Sequence, residues 1–182
     1  YYYMRDYWLA TESSPTFFRY VDWILTVPLM CVEFYLLTKL AGAKKSLLWK
    51  LILASTWMLV CGYIGEAFSD GTTGHSVTWG VLSTIGYLYI AYTVWFGEVA
   101  QLAEKSNSDA IKKGVKYLAW FVLVGWSIYP IGYMCMEGGW LSSVMAPESV
   151  DVWYNIADAI NKIGFGLVVY SIAIAESNKK VA

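Results

Sequence analysis

Five long apolar segments dominate this sequence and constrain what it can fold into. They run near 16–39, 47–68, 77–101, 114–136 and 151–175, and a helix of roughly 20 apolar residues crosses a hydrocarbon core about 30 Å thick. Stretches rich in turn-forming residues, such as AGAKKS and SDGTTGHS, separate the segments, so neighbouring helices should run antiparallel. The sequence predicts an all-α, polytopic transmembrane helical bundle, a single domain over residues 1–182 in a lipid bilayer.

The composition excludes several other classes of protein. Hydrophobic residues make up 58% of the chain and charged residues 15%, which is too apolar for an ordinary soluble domain. A net charge of -1 provides no basic surface for nucleic acid. Cys31, Cys61 and Cys135 each lie inside an apolar segment, without the spacing of a metal site. We interpret them as packing residues and predict no metal centre.

Apart from Lys162, the lysines lie in or beside alternate connections between the segments. They follow the first segment, follow the third segment and recur in the C-terminal tail, whereas the second and fourth connections have none. Because lysine and arginine accumulate in cytoplasmic loops, this pattern predicts a cytoplasmic C-terminus and an extracellular N-terminal stretch. Five crossings are consistent with that orientation in a cell membrane.

The first apolar segment, RYVDWILTVPLMCVEFYL, contains three ionisable residues: Arg19, Asp22 and Glu33. Asp22 and Glu33 are 11 positions apart, so on a helix they share one face and are separated by roughly 16 Å along the axis. Thr26 falls on the same face, one turn from Asp22. Ionisable groups at membrane depth usually line a pathway, and this arrangement would suit stepwise proton transfer. The alternative is that Arg19 simply pairs with Asp22 near the end of the segment.

The last apolar segment contains Asp158 and Lys162, which are four residues apart and therefore share a helix face. A lysine in such a setting must be paired, deprotonated or covalently modified. Its free amine can form a Schiff base with an aldehyde, and the protonated adduct would need a counter-ion. Asp158 and Asp22 are both candidates for that counter-ion. A simple ion pair that ties two helices together is the alternative.

Aromatic residues in the fourth segment form a stripe. In WSIYPIGY, Trp126, Tyr129 and Tyr133 recur at helical spacing, and Pro130 between them should kink the helix. Together with Trp23, Met58 and Gly62, these residues could enclose a long, flat, apolar ligand. The same stripe would also be compatible with an ordinary core.

Three stretches of the sequence resemble the third, sixth and seventh helices of microbial (type 1) rhodopsins: RYVDWILTVPL followed by Glu33, WSIYPIGY, and DAINKIGFG. They are most similar to those of the proteorhodopsins, which are light-driven proton pumps. The resemblance covers nearly the whole chain in the right order. It implies a bundle in which five helices of an expected seven are present, with YYYMRDYW at the end of the second helix and the hairpin leading to the third.

The resemblance implies specific roles for the residues of this site. Lys162 would bind all-trans-retinal as a Schiff base, and Asp22 would be the primary counter-ion and proton acceptor. Asp158 would be the second member of the counter-ion complex, and Arg19 would lie below it. Glu33 would return a proton from the cytoplasmic side, and Asp22, Thr26 and Glu33 match the signature of proton pumps. The residues that fall where the family lines retinal are Trp23, Met30, Met58, Gly62, Tyr87, Trp126, Tyr129, Pro130 and Tyr133.

One of these residues also bears on the colour of the protein. Met30 falls where green-absorbing and blue-absorbing proteorhodopsins typically carry leucine and glutamine, and its apolar side chain suggests the green class. The family places a histidine on its second helix. His75, the single histidine of this sequence, is instead predicted to lie in a solvated extracellular loop.

The predicted function is that of a light-driven outward proton pump rather than an enzyme. The alternatives are a sensory rhodopsin that signals to a transducer, which usually lacks a carboxylate where Glu33 lies, and a retinal-free transporter, which would have no need of Lys162 among aromatic residues. A homo-oligomer, pentameric or hexameric, is the expectation from the family.

Glu66, in the last turn of the second segment, is predicted to be an unremarkable end-of-helix residue, with a subunit contact as the alternative.

Overall fold

The computed structural model describes residues 2–136 and 138–181, and helices account for most of them. Within those residues no strand occurs, so the predicted all-α class is confirmed. The helices are α1 (Tyr2–Thr11), α2 (Thr16–Thr38), α3 (Lys45–Ala67), α4 (Thr73–Trp95), α5 (Glu98–Lys105), α6 (Asp109–Trp120), α7 (Ile128–Cys135) and α8 (Pro147–Val181). A 3-10 turn, Lys39–Ala41, extends α2, and a π-helical segment, Phe121–Gly125, lies between α6 and α7.

Five helical stretches in the described part of the chain are long and apolar enough to cross a membrane. They are Thr16–Ala41, Lys45–Ala67, Thr73–Lys105, Asp109–Cys135 and Ser149–Asn178, and each overlaps one of the five predicted segments. Large apolar side chains point outward on these helices: Leu25 and Leu29 on α2 and Ile163 and Leu167 on α8 are between 59% and 64% exposed. Apolar faces of this kind are stable in lipid, where no water contacts them.

The helices pack in the order of the chain. α3 lies against both α2 and α4, and α8 lies against α6 and α7. Phe34 of α2 and Phe165 of α8 are almost completely buried, and their rings meet edge to face with centroids 5.6 Å apart. All three cysteines are buried and have free thiols.

One end of the bundle carries most of the described lysines. Because successive crossings alternate in direction, the end of α2, the start of α3, the turn between α5 and α6 and the end of α8 all lie at this lysine-rich end. Lys50 of α3 lies 3.9 Å from Glu98 of α5, and Ser108 at the start of α6 donates a hydrogen bond to Glu176 of α8. The opposite, lysine-poor end holds the start of α2 and the turn between α3 and α4.

The prediction that His75 lies in a solvated loop is wrong. His75 is in the first turn of α4 and is half-buried, with its Nε2 atom 3.5 Å from the carbonyl oxygen of Ile64. α4 begins early because the hydroxyl of Thr72 accepts a hydrogen bond from the His75 N–H and caps the helix.

The fourth crossing is interrupted near Pro130, as the sequence predicts. α6 ends at Trp120, the π-helical segment follows, and α7 begins only at Ile128. Proline has no N–H to donate, so it removes one hydrogen bond from the helix ladder. We call residues 121–127 the helix break.

Candidate functional site

The amine of Lys162 lies between two carboxylates from different helices. Its Nζ atom donates to Asp158 Oδ2 at 3.0 Å, one turn earlier on α8, and also to Asp22 Oδ2 on α2. The side chain of Asp158 is 5% exposed, while those of Lys162 and Asp22 are 24% and 26% exposed. The structure therefore brings together both candidates for the counter-ion of this lysine.

Asp158 is held by donors from two further helices. Trp23 of α2 donates its indole N–H to the carboxylate at 3.1–3.2 Å, and Tyr129 of α7 donates its hydroxyl to Oδ1 at 2.6 Å. Charge-assisted hydrogen bonds of this kind stabilise an ionised carboxylate at membrane depth. Thr26, predicted to share the face of Asp22, donates its hydroxyl to the backbone carbonyl of Asp22 at 2.9 Å.

An apolar cavity of about 350 Å³ opens next to Lys162. Its volume is within the usual range of small-molecule sites. The predicted ligand-contacting residues all line this one cavity: Trp23, Met30, Met58, Gly62, Tyr87, Trp126, Tyr129, Pro130, Tyr133 and Lys162. Aromatic walls with an amine at one end are suited to a long apolar ligand that carries one reactive carbonyl group.

Arg19 lies at the lysine-poor end and does not behave as the spacing suggested. Its guanidinium pairs with Glu66 of α3 and Asp151 of α8, and it also donates to Ser14 Oγ at 2.9 Å. Among the described ion pairs none joins Arg19 to Asp22, so the alternative of a simple Arg19–Asp22 pair is not supported. The three charged side chains are nearly buried, with 5% of Arg19, 5% of Glu66 and 12% of Asp151 exposed.

Glu66 was predicted to be an unremarkable end-of-helix residue, and that prediction is wrong. It is buried because α3 is rotated so that its last turn faces α2 and the guanidinium of Arg19. Thr16 at the start of α2 also donates its hydroxyl to Glu66 at 2.7 Å. A contact inside the chain therefore accounts for this carboxylate.

Glu33 lies on the lysine-rich side of Asp22, further along α2. It is half-buried, and among the described residues its Oε2 atom is buried without a hydrogen-bond partner. Phe34 beside it contacts Phe165, which is three residues beyond Lys162 on α8. The buried pair of Phe34 and Phe165 therefore forms an apolar layer beside Glu33, on the lysine-rich side of Lys162.

Three residues of the site were missed in the sequence. Asp151 precedes Asp158 by seven positions, which places both on one face of α8, so its spacing was a usable signal. Tyr154 of α8 packs on the guanidinium of Arg19, with Cζ 4.8 Å from the ring centroid. Asn161 donates to the carbonyl of Gly125 at 3.0 Å, and nothing in the sequence indicated that contact.

Comparisons with known proteins agree with this geometry. The sequence profile of a family described as "Bacteriorhodopsin-like protein" matches residues 1–176. A green-light absorbing proteorhodopsin from Gamma-proteobacterium EBAC31A08 is 38% identical over 184 aligned residues, covering 98% of this chain and 69% of the relative. A blue-light absorbing proteorhodopsin from Gamma-proteobacterium Hot 75m4 is also 38% identical, with the same coverage of both chains.

A solved structure supports the same assignment at the level of the fold. The crystal structure of a blue light-absorbing proteorhodopsin from Med12 superposes with a TM-score of 0.75 and 36% sequence identity. The superposition covers 96% of this chain and 74% of the other. The chain is thus a membrane protein of the bacteriorhodopsin-like family, the microbial rhodopsins.

Proposed function

We propose that this protein is a light-driven outward proton pump that carries all-trans-retinal on Lys162. The observation that supports the proposal most directly is the position of the Lys162 amine, between Asp22 and Asp158 at one end of an aromatic cavity. A simple buried ion pair would need no cavity beside it. A charged nitrogen that loses and regains a proton needs both the counter-ions and the space.

The residues present fit retinal. The cavity is apolar, and Lys162 supplies the amine that condenses with an aldehyde. The polyene of retinal would be held on one side by Trp126 in the helix break and by Tyr129 and Tyr133 on α7. Met58 and Gly62 on α3 would hold it on the other side. Retinal bound there would supply visible absorption and a light-dependent change in the proton affinity of the Lys162 nitrogen.

The carboxylates around Lys162 have different environments, which suits different roles. Asp158 accepts hydrogen bonds from Trp23 and Tyr129, so it is already stabilised as an anion. Asp22 also accepts a hydrogen bond from the Lys162 nitrogen, and its side chain is more exposed than that of Asp158. We assign Asp22 as the group that takes the proton from Lys162, and Asp158 as the fixed negative charge.

Glu33 would return a proton to the Lys162 nitrogen from the other side. Its buried oxygen without a partner favours the protonated, neutral form that a proton donor requires. The apolar layer of Phe34 and Phe165 would keep this path closed until the protein moves. Transport is directional because the two transfers use opposite sides of Lys162.

The distribution of lysines supports the direction of transport. With the lysine-rich end in the cytoplasm, Asp22 faces outward and Glu33 faces inward, so protons would leave the cell. We accordingly propose a multi-pass protein of a bacterial cell membrane with a cytoplasmic C-terminus, assembled as a pentamer or hexamer. The bacterial assignment rests on the gamma-proteobacterial relatives.

The proposal can be tested in cells that express the complete protein with all-trans-retinal. We expect visible colour, and we expect illumination to acidify an unbuffered suspension until an uncoupler is added. Colour without acidification would favour a sensory photoreceptor. An uncoloured protein would refute the retinal assignment and leave a retinal-free transporter.

Three variants assign the roles within that experiment. Lys162→Ala should abolish the colour, and Asp22→Asn should shift it to the red and stop acidification, because the negative charge beside the nitrogen is lost. Glu33→Gln should keep the colour and slow the recovery after a flash. Recovery at the rate of the parent protein in Glu33→Gln would contradict the role of Glu33.

We further propose that the pigment absorbs green light. Met30 is 9% exposed and lines the cavity, where its apolar side chain leaves the polyene without a nearby dipole from this position. Met30→Gln should shift the absorption maximum to the blue, whereas the apolar control Met30→Leu should leave it near that of the parent. Equal maxima in all three proteins would contradict the assignment.

A further inference from the structure

The helix break leaves backbone carbonyls without their usual partners. Since Pro130 has no N–H, the Trp126 carbonyl instead accepts from the N–H of Tyr129 at 3.1 Å. In a regular helix that N–H would have bonded to the carbonyl of Gly125. The Gly125 carbonyl therefore requires another donor, because an unpaired carbonyl at membrane depth is costly.

Side chains from neighbouring helices provide the missing donors along the break. Tyr87 of α4 donates its hydroxyl to the carbonyls of Val122 at 3.2 Å and Leu123 at 3.0 Å. Asn161 of α8 donates its amide to the carbonyl of Gly125 at 3.0 Å. The break is therefore held from two sides, and one of its two supports comes from the residue next to Lys162.

Asn161 also contacts the group around Lys162. The same Nδ2 atom lies 3.4 Å from the hydroxyl of Tyr129, which donates to Asp158 Oδ1 at 2.6 Å. Asp158 in turn accepts from Lys162 at 3.0 Å. A continuous chain of hydrogen bonds thus joins the Lys162 nitrogen to the carbonyl of Gly125.

We propose that Asn161 is a positioning residue. In the dark its hydrogen bond to the Gly125 carbonyl holds the helix break in one shape, and this hold weakens when Lys162 loses its proton. This inference rests on the proposed function, since it needs a light-driven change of charge at Lys162. Asn161 acts through Tyr129 and Gly125, and its role is to link the charge of the site to the shape of α6 and α7.

The physical basis is a movement of the Tyr129 hydroxyl, which donates to Asp158 and accepts from Asn161. While Lys162 is charged, Asp158 shares its negative charge with that cation as well as with Tyr129. After the proton leaves, Asp158 must rely more on its remaining donors, so the hydroxyl of Tyr129 is drawn toward it. The 3.4 Å contact to Asn161 is the longest in the chain and would be lost first.

Gly125 provides a test that does not replace Asn161 itself. A Cβ atom added at Gly125 would overlap Asn161 Oδ1, so Gly125→Ala should displace the amide. Gly125 itself is outside the set of described residues that line the cavity, but Asn161 is one of them, so the colour of the variant reports whether the proposed retinal site is intact. Asn161→Leu removes the donors directly while keeping a similar side-chain size.

The readout is the distance between spin labels at the lysine-rich end of the complete, retinal-bound protein. Lys113→Cys on α6 and Ser46→Cys on α3 are exposed positions that can be labelled, whereas the three native cysteines are buried. We expect light to change the distance in the parent protein. In Gly125→Ala and Asn161→Leu the distance seen under illumination should already be present in the dark. Its population should be about 5-fold larger than in the dark parent protein, because one hydrogen bond is lost.

Ile172→Ala is the matched control for general loosening between α6 and α8. Ile172 is buried against Gly114 of α6, far along α8 from Asn161. This variant should lower the thermal stability without changing the dark distances. A general loss of packing would instead move the distances in all three variants, and that result would overturn the inference.

Gly125→Ala is the deciding variant, because it keeps the donors of Asn161 and changes only how the amide fits against the helix break. If this variant retains the colour and keeps the dark distances of the parent, Asn161 does not hold the helix break in its dark shape. An uncoloured parent protein would instead refute the proposed function, so the two failures are distinguishable.

Discussion

Replacing Arg19 by glutamine tests how the lysine-poor end of the bundle is held together. Arg19 pairs with both Glu66 and Asp151, and these three side chains are between 5% and 12% exposed. Two negative charges therefore face one positive charge in a poorly solvated site. Without the guanidinium, both carboxylates would remain buried with no described cation beside them.

The expected cost is large for a single substitution. Removing one partner of a buried ion pair typically costs about 3–5 kcal/mol, because an uncompensated charge is left behind. Each lost hydrogen bond, including the 2.9 Å bond to Ser14, adds about 0.5–1.5 kcal/mol. We therefore expect Arg19→Gln to lower the free energy of unfolding by at least about 3 kcal/mol at neutral pH.

Unfolding in mixed micelles by a denaturing detergent, followed by far-ultraviolet circular dichroism, measures this change. Arg5→Gln is the matched control, because Arg5 pairs with Asp6 at 2.9 Å while both side chains are at least 60% exposed. An exposed pair of that kind contributes about 0–1 kcal/mol. A similar, small effect of both substitutions would refute the reasoning.

A second substitution separates electrostatics from packing. Adding Glu66→Gln to Arg19→Gln removes one of the two uncompensated carboxylates, so part of the lost stability should return. If the double variant is less stable than Arg19→Gln alone, charge repulsion is not the cause of the loss.

Two further predictions concern the packing of α4 and the turn before it. Gly86→Ala should lower the free energy of unfolding by about 1–3 kcal/mol in the same assay, because the new Cβ would lie 2.7 Å from the Ala54 carbonyl oxygen. Gly74 has open space around it, so the control Gly74→Ala should hardly change the free energy of unfolding. The pKa of Asp70 is lowered by the hydroxyl and N–H of Thr72, so its stabilising contribution should be present above its ordinary pKa of 3.8 and lost as the pH falls below it. The difference in melting temperature between the parent and Asp70→Asn should therefore disappear in acid, and a constant difference would contradict this account.

Local patterns in the sequence were enough to predict the fold and the proximity of Asp158 to Lys162. The five crossings follow from length and hydropathy, and their number is confirmed. Asp158 and Lys162 are one helical turn apart, so their proximity required no knowledge of other helices. Pro130 likewise indicated where the fourth crossing would be interrupted.

Contacts between helices were harder to predict. The partners of Arg19 depend on how α3 and α8 are rotated, whereas the pattern within α2 offered only Asp22 as an alternative partner. His75 was assigned to a loop because SDGTTGHS is rich in turn-forming residues, but Thr72 caps α4 within that stretch. The segment FVLVG gave no sign of a π-helix in its composition. Its carbonyls accept hydrogen bonds from Tyr87 and Asn161, which lie on other helices and far away in the sequence.

Time-resolved infrared spectroscopy of the retinal-bound, complete protein tests the central claim most directly. If Asp22 takes the proton from the Lys162 nitrogen, a band of a protonated carboxyl group should rise as that nitrogen is deprotonated. The band should be absent in Asp22→Asn. A band that persists in Asp22→Asn, in a pigment that still loses the Lys162 proton, would contradict the assignment of Asp22 as the acceptor.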